Sequence, residues 1–127
     1  MTNEKREAKN IIRQKSYQFS LRIIKLYKFL SETKKEFVLA KQVLRCGTSI
    51  GANIEEAIGA QSKKDFFSKI SIAYKEARET KYWLLLLKDS HILTVDESKT
   101  LLDDIEELLK IIAKIQITTK GNIYNNS

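Results

Sequence analysis

Proline is absent from this 127-residue chain, and glycine occurs only four times. A β-rich domain of this length needs turns, and turns draw on proline and glycine for their backbone angles. That scarcity excludes a sandwich or barrel and points to an all-α chain. The lone cysteine, Cys46, excludes an intramolecular disulfide and suits a reducing compartment. The lone histidine, His91, argues against a di-metal bundle, which takes a Glu-x-x-His pair from each of two helices. Glu76 and Glu79 accordingly have no histidine partner, and no metal or cofactor is expected. The longest unbroken apolar run, Tyr82 to Leu87, falls far short of the roughly 20 residues that span a bilayer. The opening MTNEKREAKN is polar and has no apolar signal core. A cytoplasmic protein with no membrane contact is expected.

What is present is an ordinary folded composition, 43% hydrophobic and 31% charged, in a chain long enough for one core. The net charge is +7, and its placement is uneven. Residues 1–35 hold ten basic side chains (Lys5, Arg6, Lys9, Arg13, Lys15, Arg22, Lys25, Lys28, Lys34 and Lys35) against three acidic ones. The other residues balance at 13 of each, so the whole excess lies in the first segment. Such asymmetry attracts a polyanion.

Apolar spacing predicts four helices. Ala8, Ile12, Phe19, Ile23, Leu26 and Leu30 form one stripe from about Asn3 to Ser31, with a break at Thr33 to Lys35. A second helix runs from about Glu36 to Gly59 along Ala40, Val43, Gly47, Ile50, Ile54 and Ile58, where a left-handed Gly59 is the expected stop. Ser62 followed by Asp65, then Thr94 followed by Glu97, match the hydroxyl-then-acid signature of helix starts. These open a third helix ending near Asp89 and a fourth reaching about Lys120, with residues 121–127 expected as a frayed tail. Short joints favour antiparallel neighbours, hence one antiparallel up-down-up-down four-helix bundle over residues 1–120.

The third helix has more apolar surface than such a bundle can cover. Phe67, Ile72, Tyr74, Trp83, Leu85 and Leu86 lie off its main stripe. An exposed patch of this kind points to a subunit interface, for which Phe67, Tyr74, Trp83 and Leu86 are the candidates. The acidic group Asp103 to Glu107, opposite the leucine stripe of the fourth helix, reads as a solvated face.

Residues 45 to 61, RCGTSIGANIEEAIGAQ, place two glycines, a cysteine, two hydroxyls and an asparagine inside a helix. Gly47 and Gly51 fit neither phosphate-binding spacing, and no strand precedes them. Cys46 borders a buried face and lies far in sequence from His91, which favours a core thiol over a nucleophile. Close packing remains: glycines four apart, with Thr48, Ser49 and Ala52 beside them, let another helix backbone approach. Asn53 and Glu56, three apart, are placed to bond each other or a neighbouring helix end.

The stretch SIGANIEEAIGAQSKKDFFSKISIAYKEARETKYWL, Ser49 to Leu84, resembles the signature of the 23S rRNA intervening-sequence protein family, and the likeness extends over about residues 10 to 118. Its Ser-Ile-x-x-Asn-Ile-x-Glu pattern falls on Ser49, Ile50, Asn53, Ile54 and Glu56, followed by Ser62 and the Asp65-Phe66 pair. Many members have Ala-Glu-Gly and then Gly-Arg where this chain has Glu55-Glu56-Ala57 and Gly59-Ala60. The absent arginine removes a polyanion contact at that turn and leaves the basic first helix as the better candidate. The family is similar to the accessory variability proteins of diversity-generating retroelements, which are basic pentamers that bind nucleic acid and a reverse transcriptase. The resemblance therefore implies a four-helix bundle assembled as a homopentamer.

Two functions are expected from these readings. The first is a non-enzymatic, oligomeric nucleic-acid-binding protein that contacts RNA or DNA through Arg6, Lys9, Arg13, Lys15, Arg22, Lys25 and Lys28, with little sequence specificity. The second is an oligomeric scaffold for a protein partner, its charge serving solubility. Tyr17 and Tyr27 of the first helix are left open between stacking platforms and core residues.

Overall fold

A computed structural model describes residues 3–125 of the chain, with the Asn125 side chain excepted. Four helices follow one another: α1 (Asn3–Lys28), α2 (Val38–Ile58), α3 (Lys63–Asp89) and α4 (Val95–Asn125). Neighbouring helices pack in ring order, α1 on α2, α2 on α3, α3 on α4, with a slimmer α1–α4 contact closing the ring. Side-chain pairs give the directions. Arg13 meets Glu55 while Ile23 lies against Gly47; Arg45 meets Glu76 while Glu56 meets Lys69; Ser71 meets Gln116 while Lys81 meets Glu106. Lys15 meets Glu107 while Lys34 meets Glu97. In every pair of neighbours one number rises as the other falls, so all four contacts are antiparallel. The expected bundle is the observed one.

The core takes one apolar face of each helix. Phe19 and Ile23 of α1, Ile50 and Ile54 of α2, Ile70 and Leu84 of α3, and Ile105 and Ile112 of α4 are all buried. Such positions recur every three or four residues because one face of a 3.6-residue helix points inward. Burying one of these aliphatic side chains contributes about 1.5–3 kcal/mol.

The starts of α3 and α4 follow their sequence signals. Ser62 is extended and its Oγ accepts the Asp65 N–H at 3.0 Å. At α4, Thr94 Oγ1 accepts the Glu97 N–H at 3.0 Å while Glu97 Oε1 accepts the Thr94 N–H at 2.8 Å, a reciprocal capping box. Those bonds, with the Lys34 ammonium nearby, hold the Glu97 carboxyl below its ordinary value of 4.5.

Helix ends depart from expectation. After Lys28 the first helix widens over Phe29–Thr33, where the Lys34 N–H donates to the Phe29 carbonyl at 3.1 Å. Leu30 continues the buried stripe, and a left-handed Lys35 (φ 57°) reverses the chain. Gly59 does end α2, yet with φ −87° it is not left-handed; its N–H simply closes onto the Glu55 carbonyl. His91 (φ 64°), a non-glycine residue, takes the left-handed position after α3. The segment expected as a tail from Gly121 is helical through Asn125, since nothing there forces a break. Asn126 and Ser127 lie outside the described residues.

Candidate nucleic-acid interface

The seven predicted cations of α1 separate into three groups once the helix is seated. Lys9 and Arg13 turn towards the α2 side. Arg13 grips Glu55 of α2 at 2.7 Å, and Lys9 Nζ sits 4.6 Å from the centre of the Phe66 ring. Partial burial, with Lys5 nearby, lowers the Lys9 pKa from its ordinary 10.5. Lys15 and Arg22 turn towards α4, where Lys15 pairs with Glu107 at 2.8 Å and Arg22 pairs with Asp104 and with the Thr100 side chain. Arg6, Lys25 and Lys28 point to solvent, and no carboxylate of the described residues lies in ion-pair range of them. Lys15 and Arg22 thus lie on the opposite edge of α1 from Lys9 and Arg13.

The acidic run of α4 is open to solvent as expected, and three of its acids are also paired across the bundle. Asp104 and Glu107 hold Arg22 and Lys15, and Glu106 pairs with Lys81 of α3. These pairs are half-exposed, so each is worth only about 0–1 kcal/mol. Their larger effect is electrostatic, because they neutralise one edge of α1 and leave the outward face positive.

The 45–61 segment is a packing surface, as read. A methyl group on Gly47 would meet the Ile23 side chain at 2.8–3.1 Å, and one on Gly51 would meet Ser20 Oγ at 3.1 Å and the Ser16 carbonyl at 3.3 Å. The glycines thus set how closely α1 approaches α2. Cys46 is fully buried beside Val43, and desolvation pushes its thiol up to about 11, so it stays protonated and unreactive. Asn53 and Glu56 do not bond each other. Asn53 Nδ2 donates to the Ser49 carbonyl at 2.8 Å, Ser49 Oγ donates to the Arg45 carbonyl at 2.7 Å, and Glu56 lies 3.8 Å from Lys69. Of the family positions, Ser62 and Asp65 act together at the α3 cap, whereas Ser49, Asn53 and Glu56 serve α2 itself and its edge. Among the described residues no three His, Cys, Asp or Glu side chains gather as metal ligands.

On α3, Tyr74 and Trp83 are half-buried against the core, and Phe67 is half-buried too. Trp83 Nε1 donates to Glu79 at 3.0 Å, and its ring meets Tyr82 edge-on at 5.2 Å. Ile72, Tyr82 and Leu86 remain exposed. The bundle therefore absorbs part of the surplus apolar surface and leaves a narrower stripe facing solvent.

A feature missed in the sequence lies between α1 and α2. A groove of about 940 Å³ runs there, with Asn10, Gln14, Tyr17, Gln18 and Ile24 along α1 and Thr48, Ala52 and Glu55 along α2. Tyr17 is 63% exposed, whereas Tyr27 packs on the core. The available signal was three amides at helical spacing around an aromatic off the apolar stripe.

Fold and surface together define an all-α antiparallel bundle with one positively charged outer helix and no helix long and apolar enough, among the described residues, to cross a membrane. The chain belongs to the 23S rRNA-intervening sequence protein family, which matches residues 8–114. It is similar to a solved protein of unknown function from the S23 ribosomal protein family of Bacteroides thetaiotaomicron. That protein is 48% identical, with a TM-score of 0.84 over 86% of this chain and 97% of the other. The chain matches none of the curated proteins.

Proposed function

We propose that the protein is a non-enzymatic, cytoplasmic, oligomeric bundle that binds nucleic acid through backbone electrostatics with little sequence specificity. The observation that carries this reading is the outward face of α1, where Arg6, Lys25 and Lys28 have no carboxylate partner among the described residues while the paired acids are held at its edges. Phosphate oxygens can serve these cations without displacing an existing ion pair. Assembly as a homopentamer, which the family resemblance implies, multiplies the effect: five copies at +7 each carry +35. Exposed Leu86, Ile72 and Tyr82, with Phe67, Tyr74 and Trp83 beside them, are the surface offered to the next subunit. No base-reading element is present on α1, so affinity should follow phosphate number and salt.

A second reading, an oligomeric scaffold for a protein partner, draws on a different observation: Arg13, Lys15, Arg22 and Lys34 already have internal partners. Fluorescence anisotropy with a structured RNA hairpin and a DNA duplex separates the two. Binding at low salt that collapses as salt rises supports the first reading, and no binding at low salt leaves the scaffold.

A further inference from the structure

Successive spacings of four, seven and eleven residues put Arg6, Asn10, Tyr17 and Lys28 within about 40° of one another on α1. The row runs along one outward line of the helix and covers about 33 Å at 1.5 Å per residue. Its two ends are cations without a carboxylate partner among the described residues. Its middle is a tyrosine ring with 63% of its surface in solvent, at the lip of the α1–α2 groove. The other aromatics of α1, Phe19 and Tyr27, go to the core, whereas the register of Tyr17 places it on the outward line. Gln14 and Gln18 line the groove beside it.

We propose that this row is a docking track for a single strand of nucleic acid, with Tyr17 as the stacking platform. The proposal rests on the nucleic-acid reading above and adds the form of the strand. In a duplex the base faces are covered by their neighbours, so an exposed ring has nothing to stack on. A single strand presents a π-face at every base, and sequence-tolerant stacking on aromatics beside a cationic path is how such strands are held. Asparagine and glutamine amides offer both a donor and an acceptor to base edges, whichever base arrives. The row is cationic at its two ends, and between Tyr17 and Lys28 the same face exposes Leu21 and Ile24. The groove's carboxylate, Glu55, is occupied by Arg13, and Glu7 lies to one side of the line.

The test is anisotropy of labelled oligouridylate, its deoxy counterpart and a short duplex, all at one salt concentration, with the wild-type protein, Tyr17→Ala and Tyr17→Phe. Both single strands are expected to bind at least about tenfold tighter than the duplex. Tyr17→Ala is expected to lose roughly five- to hundredfold, the range for removing one stacking ring, and Tyr17→Phe to retain wild-type binding. The salt slope of Tyr17→Ala should stay at the wild-type value because no cation is removed. Helical circular dichroism confirms folding, which the exposed position of Tyr17 should preserve. A duplex bound as tightly as the strands, or an unaltered affinity in Tyr17→Ala, overturns the proposal while leaving general nucleic-acid binding in place. A reduced subunit number for Tyr17→Ala in light scattering also overturns it, because the face then seats a second copy. No binding to any probe at low salt removes both this proposal and the reading beneath it.

Discussion

Replacing Gly47 with alanine tests the close approach of α1 to α2 most sharply. On an open helix the change is stabilising by about 1 kcal/mol, because glycine is a poor helix former. Here the new methyl would lie 2.8, 2.9 and 3.1 Å from Cγ1, Cγ2 and Cδ1 of Ile23. Comfortable carbon contacts are about 3.5–4.0 Å, so something must move by more than half an ångström. Ile23 is fully buried, and its branched Cβ favours one rotamer in a helix. Turning one branch away brings the other in, so α1 itself has to shift. Overpacking of this kind costs about 1–3 kcal/mol. Against the propensity gain, the expected net loss is about 1 kcal/mol, or roughly 3–5 °C in Tm for a domain of this size. Urea and thermal unfolding followed by circular dichroism, at fixed protein concentration, give the value. Ile23→Ala alone should lose about 2–5 kcal/mol, and the same change made in Gly47→Ala should lose about 1 kcal/mol less, because the methyl then occupies vacated space. A Gly47→Ala protein more stable than wild type by the full propensity gain would refute the reasoning.

Further outcomes are expected. Thr94→Ala removes one half of the α4 capping box and should lose about 1 kcal/mol of stability; Ser62→Ala should behave likewise at α3, and thermal unfolding measures both. The depressed Glu97 carboxyl contributes stability that is present above its ordinary 4.5 and lost as pH falls through the lowered value. The difference in Tm between wild type and Glu97→Gln should therefore shrink in that acidic window, and a difference unchanged with pH would contradict it. Cys46, with its thiol raised to about 11, should resist iodoacetamide at pH 8 in the folded protein and react once urea exposes it. Finally, Glu55→Gln frees Arg13 from its pair and should tighten polyanion binding by roughly twofold to fivefold, the scale of a surface ion pair; weaker binding would mean that Arg13 needs its partner for placement.

Much of the bundle was readable from spacing because burial acts on one face of each helix. Ile12, Phe19 and Ile23, or Ile105 and Ile112, reveal that face without knowledge of their partners. Ser62 and Thr94 were readable for another reason: a cap bonds residues three positions away, so its signal is local. The Gly47–Gly51 surface was legible as close packing, though not that Ile23, Ser16 and Ser20 were the groups approached. Charge was the least legible. Whether Asp104 and Glu107 find partners depends on α1 and α4 closing the ring across 82 and 92 residues of sequence. Tyr17 was ambiguous because its neighbours Phe19 and Ser16 point inward, and only the seated helix shows the ring outside. Gly59 misled because glycine's freedom permits a left-handed turn without requiring it, while Lys35 adopts one with nothing in its residue type to announce it.

The central claim is that the outward face of α1 supplies the cations that hold a polyanion. Its most direct measurement is the salt dependence of RNA affinity for wild type against Arg6→Gln/Lys25→Gln/Lys28→Gln, a variant that disturbs no ion pair seen among the described residues. Removing one cation from a phosphate lowers the slope of log K against log salt by roughly 0.7–0.9. The variant should therefore bind more weakly at low salt, with a slope reduced by about two to three, while its Tm stays at the wild-type value. Equal affinity and an equal slope would contradict the claim and place the binding surface, if the protein binds RNA at all, elsewhere on the bundle.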